Sequence, residues 1–231
     1  EEETNLRCQI VLDGSSSMYF PKEEQNKLEF SVYAAASLIE LLKRQRDAVG
    51  LSIFDETLAL HTTAKSSLTH HRFLYSELEK RLHVYQPAEK KQTNTALALH
   101  DIAELAHQRS MVLIFSDLLD DPANTEALFD ALMHLKHNKH EVILFHVFNE
   151  ALEQNFDLED RPYQLVDMET GETLRLRPAE IREKYQKALS AHFKNIEMRC
   201  LNHGIDLVKA PMEAGYDNIL LQYLLKRQKL Y

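Results

Sequence analysis

The chain has 231 residues, 44% hydrophobic and 27% charged, with a formal net charge of −9. This is an ordinary composition for a soluble folded protein, and the length is enough to bury a substantial core. It argues against a dedicated nucleic-acid binder, which needs clustered Lys and Arg against phosphate, and no apolar run approaches the roughly 18 residues that span a bilayer.

The first strand is expected near residues 6–12, where Ile10-Val11-Leu12 delivers Asp13 and then two alternating hydroxyls, Ser15 and Ser17. Leu28, Val32, Ala35, Leu38, Ile39 and Leu42 recur at helical spacing and predict an amphipathic helix closing near Arg46. A strand follows from about Val49 through Phe54. Asp55-Glu56 turn the chain, and the alternation over 57–61 predicts a short antiparallel edge strand. Ser66-Ser67 open a helix carrying Leu68, Leu74, Leu78 and Leu82. A polar loop over 87–92 leads to Thr93-Asn94-Thr95 and a helix expected to turn Leu97, Ile102 and Leu105 inward. Residues 111–115 are almost wholly apolar, as in a strand covered on both faces, and end in Ser116-Asp117. Pro122 and Asn124 start a helix with Leu128, Leu132 and Leu135, and a strand over 142–148 follows.

This alternation of strand and helix predicts an α/β fold. Its central sheet is mostly parallel, in the order 3-2-1-4-5-6, with helices on both faces and one antiparallel edge strand. Residues 149–177 interrupt the pattern, and the turn around Glu169-Thr170-Gly171-Glu172 between two β-prone runs reads as an inserted hairpin. Pro178 introduces a long helix striped by Ile181, Tyr185, Leu189, Phe193, Ile196 and Cys200 and stopped by Gly204. A last strand at 205–208 and a helix at 219–225 complete one domain over 1–231. A start at Glu1, a few residues before a central strand, reads as a piece cut from something longer. Cys8 and Cys200 read as small buried hydrophobes in a reducing, cytoplasmic compartment.

In an open parallel sheet, ligands bind beyond the carboxyl ends of the strands, where the strand order reverses. Two strands end in aspartate at that edge, at Asp13 and Asp117, and the Thr93 hydroxyl enters from a neighbouring loop. Two carboxylates and three hydroxyls around one spot repel unless a cation sits there, and oxygen donors of this kind suit Mg²⁺, with Mn²⁺ or Ca²⁺ as alternatives. The competing reading is that Asp and Ser simply make the turn and cap the next helix.

Asp13-x-Ser15-x-Ser17, then Thr93, then Asp117, resembles the metal-ion-dependent adhesion site of von Willebrand factor type A domains. Within that superfamily the chain is similar to the bacterial domain-of-unknown-function family fifty-eight, often encoded beside MoxR-type AAA+ ATPases. The stretches that carry this are Ile114-Phe115-Ser116-Asp117-Leu118, Val166-Asp167-Met168-Glu169-Thr170-Gly171-Glu172 and Gly204-Ile205-Asp206. The resemblance implies that Ser15 and Ser17 ligate the metal directly, Thr93 directly or through water, and Asp13 and Asp117 through water. It leaves one position for an Asp or Glu of a protein partner, and implies a further N-terminal region. The chain departs from the family in Lys91-Gln92, where members usually carry Gly-Gly.

The enzyme alternative is a metal-dependent phosphohydrolase of the haloacid dehalogenase type, which uses an Asp at the end of the first strand. That chemistry wants a general acid two residues later, where this chain has Ser15. His134, His137 and His140, and the pair His70-His71, read as surface residues, whereas His61, His100 and His146 approach the core. A scaffold that meets its partner through another face, such as acidic residues 150–160, is a further alternative.

Overall fold

The computed structural model describes residues 6–21, 25–55, 57–83, 95–119, 124–167 and 171–230. The chain alternates β1 (Arg7–Asp13), α1 (Lys27–Arg44), β2 (Ala48–Phe54), β3 (Leu58–His61), α2 (Leu68–Leu82), α3 (Thr95–Leu105), β4 (Met111–Ser116), α4 (Thr125–His137) and β5 (Glu141–Phe148). A hairpin of β6 (Tyr163–Val166) and β7 (Thr173–Leu176) precedes α5 (Pro178–Asn202), β8 (Asp206–Pro211) and α6 (Tyr216–Leu230). The six-stranded sheet runs β3-β2-β1-β4-β5-β8. Only the β2–β3 pair in it is antiparallel. Discounting the separate hairpin, this is the order 3-2-1-4-5-6 expected from the sequence.

The central strands carry apolar side chains on both faces because both faces are covered. On one side Ile10, Leu12, Leu51, Ile53, Leu113 and Phe115 meet the inward faces of α1, α2 and α6. There the rings of Phe115 and Phe145 stack 4.5 Å apart, and Tyr223 of α6 meets Phe145 edge-on. On the other side Val11, Val112, Ile114, Val142 and Leu144 pack against α3, α4 and the last turns of α5.

Capping sets the helix starts. The Asn26 side chain accepts from the backbone N–H of Glu29 at 2.8 Å and opens α1. Ser67 does the same for α2, accepting from His70. Pro178 stands in the first turn of α5, and the chain leaves that helix at Gly204 with φ +63°, a left-handed value that favours glycine.

Some expectations are corrected. Leu97 and Leu105 are about half exposed. The inward face of α3 is Ala98, Leu99, Ile102 and Ala103, which share a core cluster with Leu128, Phe129 and Leu132 of α4. Leu68, in the first turn of α2, also faces outward. His71 and His140, read as surface residues, are buried. His71 shares the inward stripe of α2 with Leu74 and Leu78, and His140 sits at the entrance to β5, where its Nδ1 accepts from the Ser110 N–H. His137 is exposed as expected. No helix among the described residues is long and apolar enough to cross a membrane.

Candidate metal centre at the strand exits

β1 and β4 are parallel neighbours with Leu12 opposite Phe115, so Asp13 and the Ser116-Asp117 pair leave the sheet at the same edge. This is also where the strand order reverses, with β2 lying on the far side of β1. Gly14 makes the first step out of the strand. Its N–H donates to the Phe54 carbonyl at 2.6 Å, and a Cβ built on it would stand 3.0 Å from that same oxygen.

Asp13 is buried and accepts twice, from the Ser15 N–H at 2.9 Å and from the Ser116 hydroxyl at 2.7 Å. The hydroxyls of Ser15 and Ser17 lie 3.0 Å apart. Asp117 is equally buried. It accepts from the Leu119 N–H at 3.1 Å, from the Lys27 ammonium at 2.7 Å and from the Ser17 hydroxyl. The turn after Asp117 passes through Leu118 at φ +55°, a conformation that for a leucine costs of order 1–3 kcal/mol. The Leu118 N–H bonded to the Ser116 hydroxyl, and the Leu118 carbonyl bonded to His192, hold it there.

Four of the five expected site residues, Asp13, Ser15, Ser17 and Asp117, therefore converge. Thr93 lies outside the described residues, as do Lys91, Gln92, Asp120 and Asp121. Two further residues belong to the cluster and escaped the sequence reading. Lys27, the first residue of α1, is fully buried and bridges Asp117 to Glu153. Glu153 comes from a π-helical turn after β5, Glu150–Gln154, and its second oxygen accepts from the Asn149 N–H at 2.7 Å. One signal was present in the sequence: a lysine in the first turn of a helix opposes the helix dipole. Glu153 looked like any solvated acidic loop residue.

The electrostatics follow from burial. Desolvation, reinforced by the negative charge of Asp117, pushes the Asp13 carboxyl well above the usual range, and the Ser116 and Ser15 bonds offset this only in part. Burial would raise Asp117 too, but the charge and hydrogen bond of Lys27 bring it below its ordinary value. Burial raises Glu153, opposed by Lys27. Lys27 would be lowered by burial, yet Asp117 and Glu153 together carry it above the usual lysine range.

Among the described residues of the cluster, three carboxylates against one ammonium leave a net charge of −2 when all are ionised. Neighbouring ligands of an octahedral Mg²⁺ stand about 2.9 Å apart, given bonds of 2.0–2.1 Å. The Ser15–Ser17 separation is compatible with one such edge. Among the described residues no group of three or more His, Cys, Asp or Glu side chains is arranged around a common metal position. A cation here would therefore rest on neutral hydroxyls, with the carboxylates behind them.

Beside this cluster a cleft of about 180 Å³ opens between the end of β5 and α5, walled by His146, Phe148, Leu189 and Phe193 and rimmed by Lys194 and Lys209. A narrow neck lined by Asp117, Leu119 and Glu153 adjoins it. His146, one place from β4 in the sheet and opposite Ser116, is 5% exposed, and its Nε2 has no partner among the described residues.

The fold and this cluster define an α/β protein with two buried aspartates and a pair of serine hydroxyls gathered at the switch point of an open sheet. The chain belongs to the family described as "Protein of unknown function DUF58", whose model matches residues 1–195. No curated protein matches it. Among solved structures it is similar to the conserved hypothetical protein BatB from Bacteroides thetaiotaomicron, at 13% identity and a TM-score of 0.55, covering 97% of this chain and 100% of that one. An aerotolerance-related membrane protein from Bacteroides fragilis matches at 12% identity and a TM-score of 0.50, covering 93% and 98%. The pilus adhesin SpaC from Lactobacillus rhamnosus matches at 12% identity and a TM-score of 0.58, covering 99% of this chain and 30% of the adhesin. At such identities the likeness is one of fold alone.

Proposed function

We propose that this chain is a divalent-cation-dependent protein-binding domain, whose site works as the metal-ion-dependent adhesion site of von Willebrand factor type A domains does. The observation that carries this reading is the pair of buried aspartates, Asp13 and Asp117, behind two hydroxyls 3.0 Å apart, with an uncompensated negative charge. Ser15 and Ser17 would hold the ion, with Thr93 as the third hydroxyl of the motif, and Asp13 and Asp117 would orient them from behind. Mg²⁺ is the expected ion, because neutral and carboxylate oxygens suit a hard cation. Bound there, it would supply a Lewis-acidic position for an Asp or Glu side chain of the partner. Family resemblance makes a MoxR-like AAA+ ATPase the first partner to try. Two free, buried thiols, Cys8 and Cys200, accord with a reducing cytoplasmic setting. The phosphohydrolase alternative has less support, since Ser15 stands where a general acid is wanted.

The test is calorimetric titration with Mg²⁺ and Mn²⁺, with Asp13→Ala run alongside and circular dichroism confirming that the variant stays folded. Binding by the parent and none by the variant is the expected result. Unchanged affinity in a folded Asp13→Ala protein refutes the assignment.

A further inference from the structure

The Lys27–Asp117–Glu153 bridge has no role in the site as proposed, yet it is among the most buried charged groups of the protein. Lys27 has no measurable exposure and Asp117 only 3%. A buried ammonium is tolerated only when paired, and this one sits at a helix N-terminus, where the helix dipole disfavours positive charge. A lysine at that position needs compensation, and here it is supplied from two distant parts of the chain: Asp117 at the exit of β4 and Glu153 in the turn after β5.

We propose that Lys27 is a tethered counter-cation that competes with the divalent ion for Asp117, coupling occupancy of the site to the turn Glu150–Gln154. This rests on the cation-binding reading above. Both Asp117 oxygens are committed within the chain, Oδ1 to the Leu119 N–H and Oδ2 to Lys27. A dication drawing on Asp117 must therefore share it with the ammonium. Glu153 gives Lys27 a second carboxylate to retain as its hold on Asp117 loosens. The Glu153 backbone lies in the turn that leads from β5 towards the hairpin and α5, and its other oxygen is tied to the Asn149 N–H. The competition is thus transmitted to the chain beside the cleft. Without metal, Lys27 keeps the carboxylates from repelling one another. With metal, it sets the affinity below what the donors alone would give.

The experiment is calorimetric titration of Mg²⁺ and Mn²⁺ into the parent chain and three variants, each checked for folding by circular dichroism. Lys27→Met should bind about tenfold tighter or more, the order that repulsion between adjoining single and double charges produces even at bulk-water screening. Glu153→Gln, which leaves the ammonium wholly to Asp117, should bind several-fold weaker. Lys43→Met, which removes a half-buried charge paired with Glu40 at the far end of the same helix, should leave affinity unchanged. A parent that is silent while Lys27→Met binds supports the proposal most strongly. A parent that binds while folded Lys27→Met binds no tighter overturns it and leaves the cation site standing. If Lys27→Met does not fold, Glu153→Gln decides, and parental affinity in that variant overturns the proposal. Silence in every protein sinks the cation reading and this inference together. Mg²⁺ should also change amide exchange in residues 149–154 of the parent, and exchange there that ignores saturating metal refutes the coupling.

Discussion

Replacing His146 by phenylalanine measures how dry the cleft beside Asp117 is. The imidazole lies 4.1 Å from the Phe193 ring and 4.8 Å from that of Phe148, centroid to centroid. Burial, above all, pushes its pKa down to about 3, with the negative charge of Asp117 opposing. The folded value lies below the roughly 6.5 of an unfolded histidine, so as pH falls the unfolded chain takes up its proton first. Stability from this residue is complete above about pH 6.5 and is lost as pH falls towards 3. Between pH 7 and pH 5 the linkage removes about 2 kcal/mol through His146 alone, at about 1.4 kcal/mol per pH unit once the unfolded histidine is protonated. The assay is urea unfolding of both proteins at both pH values. Asp13, His71 and His140 titrate in parent and variant alike and cancel in the comparison, and a ring replaces a ring, so the two should be similarly stable at pH 7. His146→Phe should lose about 2 kcal/mol less than the parent on going to pH 5. Equal losses would mean that water reaches the imidazole, and the dry surroundings invoked for Asp117 and Lys27 would fall with it.

Three other expectations concern the site and its support. Because the folded Asp13 carboxyl is raised, the stability that Asp13 contributes is lost as pH rises above the usual Asp range near 4. A cation that compensates the ionised carboxylate should therefore raise the melting temperature more at pH 8 than at pH 5, and equal shifts by differential scanning fluorimetry would contradict this. Phe115→Ala removes a fully buried ring stacked on Phe145 and should cost about 3–5 kcal/mol in urea unfolding; less than about 2 would mean that the core there collapses around the gap. Asn26→Ala deletes the cap of the helix that carries Lys27 and should cost about 1 kcal/mol, read as a lowered melting temperature that Asn26→Asp largely restores.

What was legible in the sequence was what is local. An apolar run covered on both faces identifies β1, β4 and β5 from a handful of neighbouring residues. An aspartate at the end of such a run must emerge at the edge of the sheet, so Asp13 and Asp117 followed from position alone, and the spacing of Ser15 and Ser17 put them on the same loop. Leucine periodicity was a poorer guide in α3, where Ala98, Leu99, Ile102 and Ala103 face inward and Leu97 and Leu105 are left about half exposed. Histidine was misread for a related reason. At His71 the i, i+3, i+7 stripe with Leu74 and Leu78 was visible, but its polarity argued for the surface. Burial was decided instead by what packs on that face of α2.

Lys27 and Glu153 were beyond local reading because the contacts that define them span 90 and 126 residues. They shape the electrostatics of the site in a particular way. Two aspartates alone gave a cluster of charge −2. Adding one glutamate and one lysine adds no net charge, so the uncompensated charge behind the proposed cation remains. The added charges are not placed alike, however: Lys27 is hydrogen-bonded to Asp117, whereas the hydrogen bond of Glu153 goes to Lys27. The same net charge therefore now contains an internal rival for the carboxylate. A reading based on net charge expects tight metal binding, whereas one based on contacts expects binding limited by Lys27, and the two part at Lys27→Met. That variant makes the net charge more negative by one and also frees Asp117, whereas Lys43→Met makes only the first change. Tighter binding in the former alone would place the control of the site in the contact rather than in the overall field.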